Sequence, residues 1–163
     1  MATSTTTSVW RSGGGDTTKT AYAGSMLMVA DFYFSATGAA NTKVQKSSTD
    51  TNNVILPVGA IITEIQANAA GTGGTNPTFD MGFTLYTSGT TNAATLLNEA
   101  DADAGKQVFT WATATVPGAS LGAVMSSSEM VYITGSVGAS AATGGSISGR
   151  ILYYVPTNGA YTA

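Results

Sequence analysis

The chain has neither cysteine nor histidine among its 163 residues. The first absence removes disulfides, thiolate nucleophiles and iron–sulfur ligation, and leaves redox compartment unreadable from cysteine usage. The second removes an imidazole general base, a Ser-His-Asp triad and the ordinary zinc or copper site. Charge is almost as scarce. Nine acidic and six basic side chains make up 9% of the chain, against about a quarter in an average soluble domain. Six basic residues and a net charge of −3 form a poor footprint for phosphate backbones, so no nucleic-acid partner is expected. Long apolar runs are missing too. The nearest, Val54 to Ile62, is interrupted by Pro57 and Gly59 and is far shorter than the ~20 residues that cross a bilayer, so no membrane partner is expected. Met1 to Gly15 has no apolar h-region, which argues against a signal peptide.

What is present is a 43% hydrophobic chain rich in Gly, Thr, Ser and Ala, long enough to bury about two-thirds of its unfolded surface in one domain. Residues 1–24 are Thr/Ser/Gly-rich without a sustained period and read as an extended N-terminal arm or flexible lead-in. Val9, Trp10 and Tyr22 stand out in it. They are the expected interaction residues, docking on the body or on a neighbouring subunit. Residues 25–157 read as a β-sandwich domain and residues 158–163 as a C-terminal tail.

From Met26 the pattern has period 2, the mark of strands. Met26, Met28, Ala30, Phe32 and Phe34 share one face, with Leu27, Val29, Asp31 and Tyr33 on the other. Ile61, Thr63 and Ile65 alternate with Ile62, Glu64 and Gln66. Phe79, Met81, Phe83 and Leu85 oppose Asp80, Gly82, Thr84 and Tyr86. Further strands are expected over Gln107 to Val116 around Trp111, Met130 to Val137, and Ile147 to Val155, with Pro117 and Pro156 closing two of them. Asn92 to Gly105 departs from this pattern. It is Ala-rich, with Asn92 as a possible N-cap and Gly105 as a C-cap, and predicts a short helix. The expected fold is all-β: an antiparallel β-sandwich or jelly roll with one short helical insertion.

Within that segment, Glu99, Asp101 and Asp103 followed by Gly105 read first as a solvated acidic turn; the alternative is a calcium site, since the spacing resembles the start of a calcium loop, although no Glu follows at the closing position. Ser12 to Asp16 and Gly71 to Gly74 are Gly-rich but lack the Lys-Ser/Thr of a phosphate loop, and read as surface loops. Asp31, Glu64 and Asp80 occupy alternate strand positions, so they mark exposed faces more simply than a glycosidase pair. Phe109, Trp111, Tyr132, Tyr153 and Tyr154 could stack on sugars or bases, but half or more of them must face a core. Met26/Met28 and Met125/Met130 read as adaptable core filling. No catalytic residue and no cofactor other than calcium is indicated.

The order Leu56-Pro-Val-Gly-Ala-Ile-Ile-Thr-Glu-Ile65, Phe79-Asp-Met-Gly82, Ala94-Thr-Leu-Leu97, Ala100-Asp-Ala-Asp-Ala-Gly105 and Ile147-Ser-Gly-Arg-Ile-Leu-Tyr-Tyr154 resembles small virion structural proteins of tailed bacteriophages, especially those of marine and cyanobacterial hosts, of the head-decoration type. The resemblance spans Val54 to Tyr154. It implies a non-enzymatic β-sandwich or jelly-roll module located in the virion and assembled in the host cytoplasm. The partners it implies are other virion proteins, such as the major capsid protein, and further copies of itself, with a trimer as one form. The composition fits this picture, because few Lys and Glu means few flexible charges to desolvate at a protein interface. The alternative is a carbohydrate- or host-surface-binding module of a tail fibre, with exposed Tyr and Trp as stacking platforms.

Overall fold

The computed structural model describes residues 27–37, 42–103, 105–110, 118–138, 140 and 142–156. The arm residues Val9, Trp10 and Tyr22, together with Trp111, Pro117 and the 158–163 tail, lie outside them. Among the described residues nine strands follow one another: β1 (Met28–Ser35), β2 (Thr42–Lys43), β3 (Ile55–Leu56), β4 (Ile61–Ala70), β5 (Thr78–Leu85), β6 (Thr91–Asp101), β7 (Lys106–Thr110), β8 (Val131–Val137) and β9 (Ser146–Tyr154). Every pairing between them is antiparallel.

Two sheets result, one in the order β1-β9-β4-β7 and one in the order β2-β8-β5-β6 with β3 also on β8. Strands β2 and β3 share one lane. Thr42 and Lys43 pair with Gly135 and Thr134, and Ile55 and Leu56 pair with Tyr132 and Val131, along the same side of β8. Between them, the Val44 N–H donates to Ile133 O (3.0 Å) and the Ile133 N–H donates to Val54 O (3.0 Å). The polar loop 45–53 is therefore an excursion from a single interrupted strand. Lettering the eight lanes B to I in chain order gives sheets B-I-D-G and C-H-E-F, the strand order of a jelly roll, whose two Greek keys wrap one core.

The period-2 faces fall where the pattern places them. Phe32 and Phe34 of β1, and Phe79, Met81 and Phe83 of β5, point between the sheets and are buried. Four phenylalanines form a chain across the gap: Phe32 to Phe34 at 6.3 Å between ring centroids, Phe34 to Phe79 at 6.2 Å and Phe79 to Phe109 at 6.4 Å edge-on. Ile62, Ile65, Leu56, Ile133, Ile147 and Ile151 pack around it, each fully buried. Ile62 and Ile65 have opposite parity yet both face inward, because the β4–β9 register shifts between Ile62 and Glu64 and a β-bulge there resets the alternation.

Asn92 to Gly105 is not a helix, and no helix occurs among the described residues. The segment is β6 and the turn after it. Asn92 sits opposite Phe83 and Leu97 opposite Met81, so residues 93–96 bulge out against Gly82 alone. Residues 98 and 99 then face Asp80 alone. Ala94 and Glu99 take left-handed backbone at φ 53° and 56° to make these bulges. Pairing with β5 along most of its length outweighs the helical preference of Ala and Leu, because propensity is a weak prior beside tertiary pairing. The bulges also explain why Leu96 and Leu97 are both fully buried, which had removed the strand period from view.

Two glycines let elements approach. At Gly135 of β8, an added Cβ would lie 2.8 Å from the ring of Phe34; at Gly82, it would lie 2.2 Å from Asn92 O on the β6 bulge. We expect Gly135→Ala to cost about 1–3 kcal/mol by overpacking. The double change Gly135→Ala/Phe34→Leu should lose less than the sum of the single changes, with a coupling of about 1 kcal/mol. Chemical denaturation of the four members of the cycle checks this, and strict additivity would mean that Phe34 does not need the glycine.

Candidate interaction surfaces

The outward rows of each sheet follow from register. On the β1-β9-β4-β7 sheet, Asp31, Arg150, Gln66 and Val108 form one cross-strand row, and Tyr33, Ser148, Asn68 and Lys106 form the next. A third row runs Val29, Leu152, Glu64 and Thr110. Arg150 Nε donates to Asp31 Oδ1 at 3.3 Å with both side chains mostly exposed, so the pair contributes at most about 1 kcal/mol. Gln66 Nε2 donates to Glu64 Oε1 at 2.7 Å. A hollow of about 460 Å³ lies over Gln66, Asn68, Lys106, Val108 and Arg150.

At the end of this sheet nearest the start of β1, the rows turn apolar. Tyr154 pairs with Ile61, Ile61 bridges to Val124, and Leu27 precedes Met28, the partner of Tyr153. Leu27, Val29 and Val124 are 56%, 56% and 48% exposed. Beside Val29, a second hollow of about 520 Å³ opens between β1 and the β2–β3 excursion, with Asp31, Lys46, Asp50, Ile55 and Tyr153 also on its walls.

The outward face of the other sheet carries an aromatic pair. Tyr86 and Tyr132 stack at 4.9 Å and 18°, and Lys43 Nζ lies 3.8 Å from the Tyr132 centroid. Tyr132 is thus held by a ring and a cation, a favourable arrangement worth about 0.5–1 kcal/mol where exposed. Burial, with Tyr86 as hydrogen-bond and charge neighbour, raises the Tyr132 phenol above its ordinary value. Ile55, paired with Tyr132, and Met130 are each 40% exposed nearby. Of the four methionines read as core filling, Met26 lies outside the described residues, Met28 is half-buried, Met125 is buried and Met130 is on this surface.

The acidic segment separates into strand alternation. Ala100 and Ala102 are buried while Asp101 and Asp103 point outward. Glu99 accepts a hydrogen bond from Thr78 Oγ1, and Asp101 Oδ1 accepts from the Asp103 N–H at 2.7 Å. Among the described residues, no three acidic side chains gather where they could hold a metal ion. Asp80, read as marking an exposed face, is half-buried. Burial raises its pKa despite a hydrogen bond from the Glu99 N–H at 2.7 Å, and the Glu99 charge adds to the rise. No described helix is long and apolar enough to cross a membrane.

Sequence reasoning did not find Glu129, which closes the β5–β6 turn. Its Oε2 accepts the backbone N–H groups of Thr87 and of Ser88 (3.0 Å). Those hydrogen bonds favour the ionised carboxylate and lower its pKa. A depressed carboxylate stabilises the fold fully above the ordinary carboxylate range and loses that contribution as pH falls through the lowered value. Glu129→Gln should therefore be less stable than the parent at neutral pH, with the difference closing in acid. Unfolding midpoints of the two proteins across pH check the sign, and a gap that widens in acid would refute the turn assignment.

No family model matches the chain, and no curated protein matches it. It is similar to a chain of the solved structure "Cyanophage Pam1 capsid asymmetric unit", with 16% identity, 82% of this chain and 87% of that chain covered, and a TM-score of 0.49.

Proposed function

We propose that this protein is a non-enzymatic structural component of a phage virion, and that it serves as a capsid decoration or cement protein. The observation that carries the reading is the strand order, β1-β9-β4-β7 against β2/β3-β8-β5-β6. Viral capsid modules, lectins and cupins share this architecture. A histidine-based metal or acid–base site has no residue to build it in this sequence. The sequence resemblance over Val54 to Tyr154 points toward the capsid use of the fold. Attachment is assigned to residues 1–24 and to the outward sheet faces, with the major capsid protein and further copies of the chain as partners.

A second reading, a glycan-binding module on a tail fibre, is favoured by the stacked Tyr86–Tyr132 pair, whose outer ring is 44% exposed. Quantitative mass spectrometry of purified virions separates the two. Hundreds of copies per particle are expected for head decoration, a few or a dozen indicate tail placement, and absence from particles defeats both. Deleting residues 2–24 should lower incorporation at least severalfold while leaving thermal unfolding of the remainder cooperative. Particles filled to the normal level by the truncated protein would remove the arm from the attachment.

A further inference from the structure

The apolar end of the β1-β9-β4-β7 sheet lacks a partner within the described fold. In an antiparallel sheet with one solvated face, outward positions are expected to be polar. Here Leu27, Val29, Leu152, Tyr154, Ile61 and Val124 form one contiguous strip on that face, placed by the register from β1 through β9 and β4 to the 124 bridge. The strip crosses four lanes and two outward positions, about 14 Å by 7 Å at the usual strand spacing and rise. A stable interface between globular copies buries about 800 Å² per partner, several times this footprint. The strip is the right size for a short extended segment carrying one or two large apolar side chains.

We infer that the strip is the seat of the Val9–Trp10 segment of the same chain. The N-terminal residues run directly into Leu27, itself part of the strip. Sixteen residues (11–26) separate Trp10 from Leu27, enough to span up to about 55 Å and so to reach every part of it. Val9 and Trp10 are adjacent large apolar residues, and Arg11 follows them. Glu64 stands beside Leu152 in the row that Val29 begins, its carboxylate accepting from the neutral amide of Gln66, so it offers Arg11 a complementary charge where the apolar strip ends in that row. A short tether presents its segment at about millimolar effective concentration. At micromolar protein the chain's own segment therefore outcompetes a neighbour's. The seat is that of the free protein in dilute solution, so it stands or falls separately from the virion reading.

Photo-crosslinking of the full chain tests it. Trp10→p-benzoylphenylalanine is prepared in unlabelled and ¹⁵N forms, and an equal mixture is irradiated at low micromolar concentration. Mass spectrometry should find position 10 joined to peptides holding Leu27/Val29, Leu152/Tyr154 or Val124, always within one isotope. Val29→Thr/Leu152→Thr, which keeps strand-compatible residues, should lower that yield at least tenfold with little change in the unfolding midpoint. Val29→Thr alone, a milder change, should lower it severalfold. Links joining light to heavy chains, links to the Tyr86–Tyr132 face, no link at all, or a yield indifferent to both variants would overturn the inference.

Discussion

The four-phenylalanine chain between the sheets is the contact on which the other features depend. Phe32 and Phe34 come from β1, Phe79 from β5 and Phe109 from β7, so one continuous set of ring contacts joins both sheets. Aromatic pairs add about 0.5–1.5 kcal/mol beyond area burial and prefer tilted or edge-on geometry. The Phe79–Phe109 pair, at 78° between planes, has that geometry. To seat these rings, β8 presents Gly135 rather than a side chain opposite Phe34. The sheet spacing, the absence of a side chain at Gly135 and the inward parity of β1 and β5 are thus one constraint seen from three strands.

With the core filled in this way, the sheet edges must be closed by backbone rather than by charge. The free edge of β1 exchanges hydrogen bonds with the excursion of the other sheet, Tyr33 N–H to Gln45 O (2.7 Å) and Gln45 N–H to Tyr33 O (2.9 Å). The β6 edge is interrupted by its two bulges, and Gly118 and Ser120 donate to Leu96 O and Thr95 O along it. Beyond the end of β7, Gly122 donates to Ile62 O of β4 and Met125 to Ala60 O just before it. Exposed edges template unwanted pairing, and covering or bulging them removes the template. A chain with so few lysines manages its edges by these means.

Much of the fold was legible because period 2 survives wherever a strand is regular. The Phe32/Phe34 and Phe79/Met81/Phe83 faces, and strands near 131–137 and 146–154, follow directly from alternation. The misreading of Asn92–Gly105 has a local cause. Two bulges within eleven residues place Leu96 and Leu97 side by side in the interior, and the Ala-rich composition then imitates a helix. One signal is visible in the sequence, since Ala100-Asp101-Ala102-Asp103 itself alternates as a strand does. The apolar strip was half legible. Leu27 and Val29 break the polar rule on the outward face of β1, but Tyr154, Ile61 and Val124 join them only through register, which no local pattern encodes.

The scarcity of charge takes on a further meaning once the acids are placed. Asp50 Oδ1 accepts from the Asn52 N–H, Asp80 from Glu99, Asp101 from Asp103 and Glu129 from Thr87 and Ser88. Each ties a turn or bulge by satisfying backbone N–H groups that the ladder leaves unpaired. A carboxylate in that role gives a charge-assisted hydrogen bond, stronger than a neutral one, and is not available to keep a broad face solvated. That task falls largely to Thr, Ser and Asn, whose short side chains lose less rotamer freedom on being covered than Lys or Glu. Asp50, Asp80, Asp101 and Glu129 therefore fix turns and bulges that shape the sheets, and Asp31 and Glu64 on the outward face are each already paired, so the weakly charged faces can meet another protein surface at low desolvation cost.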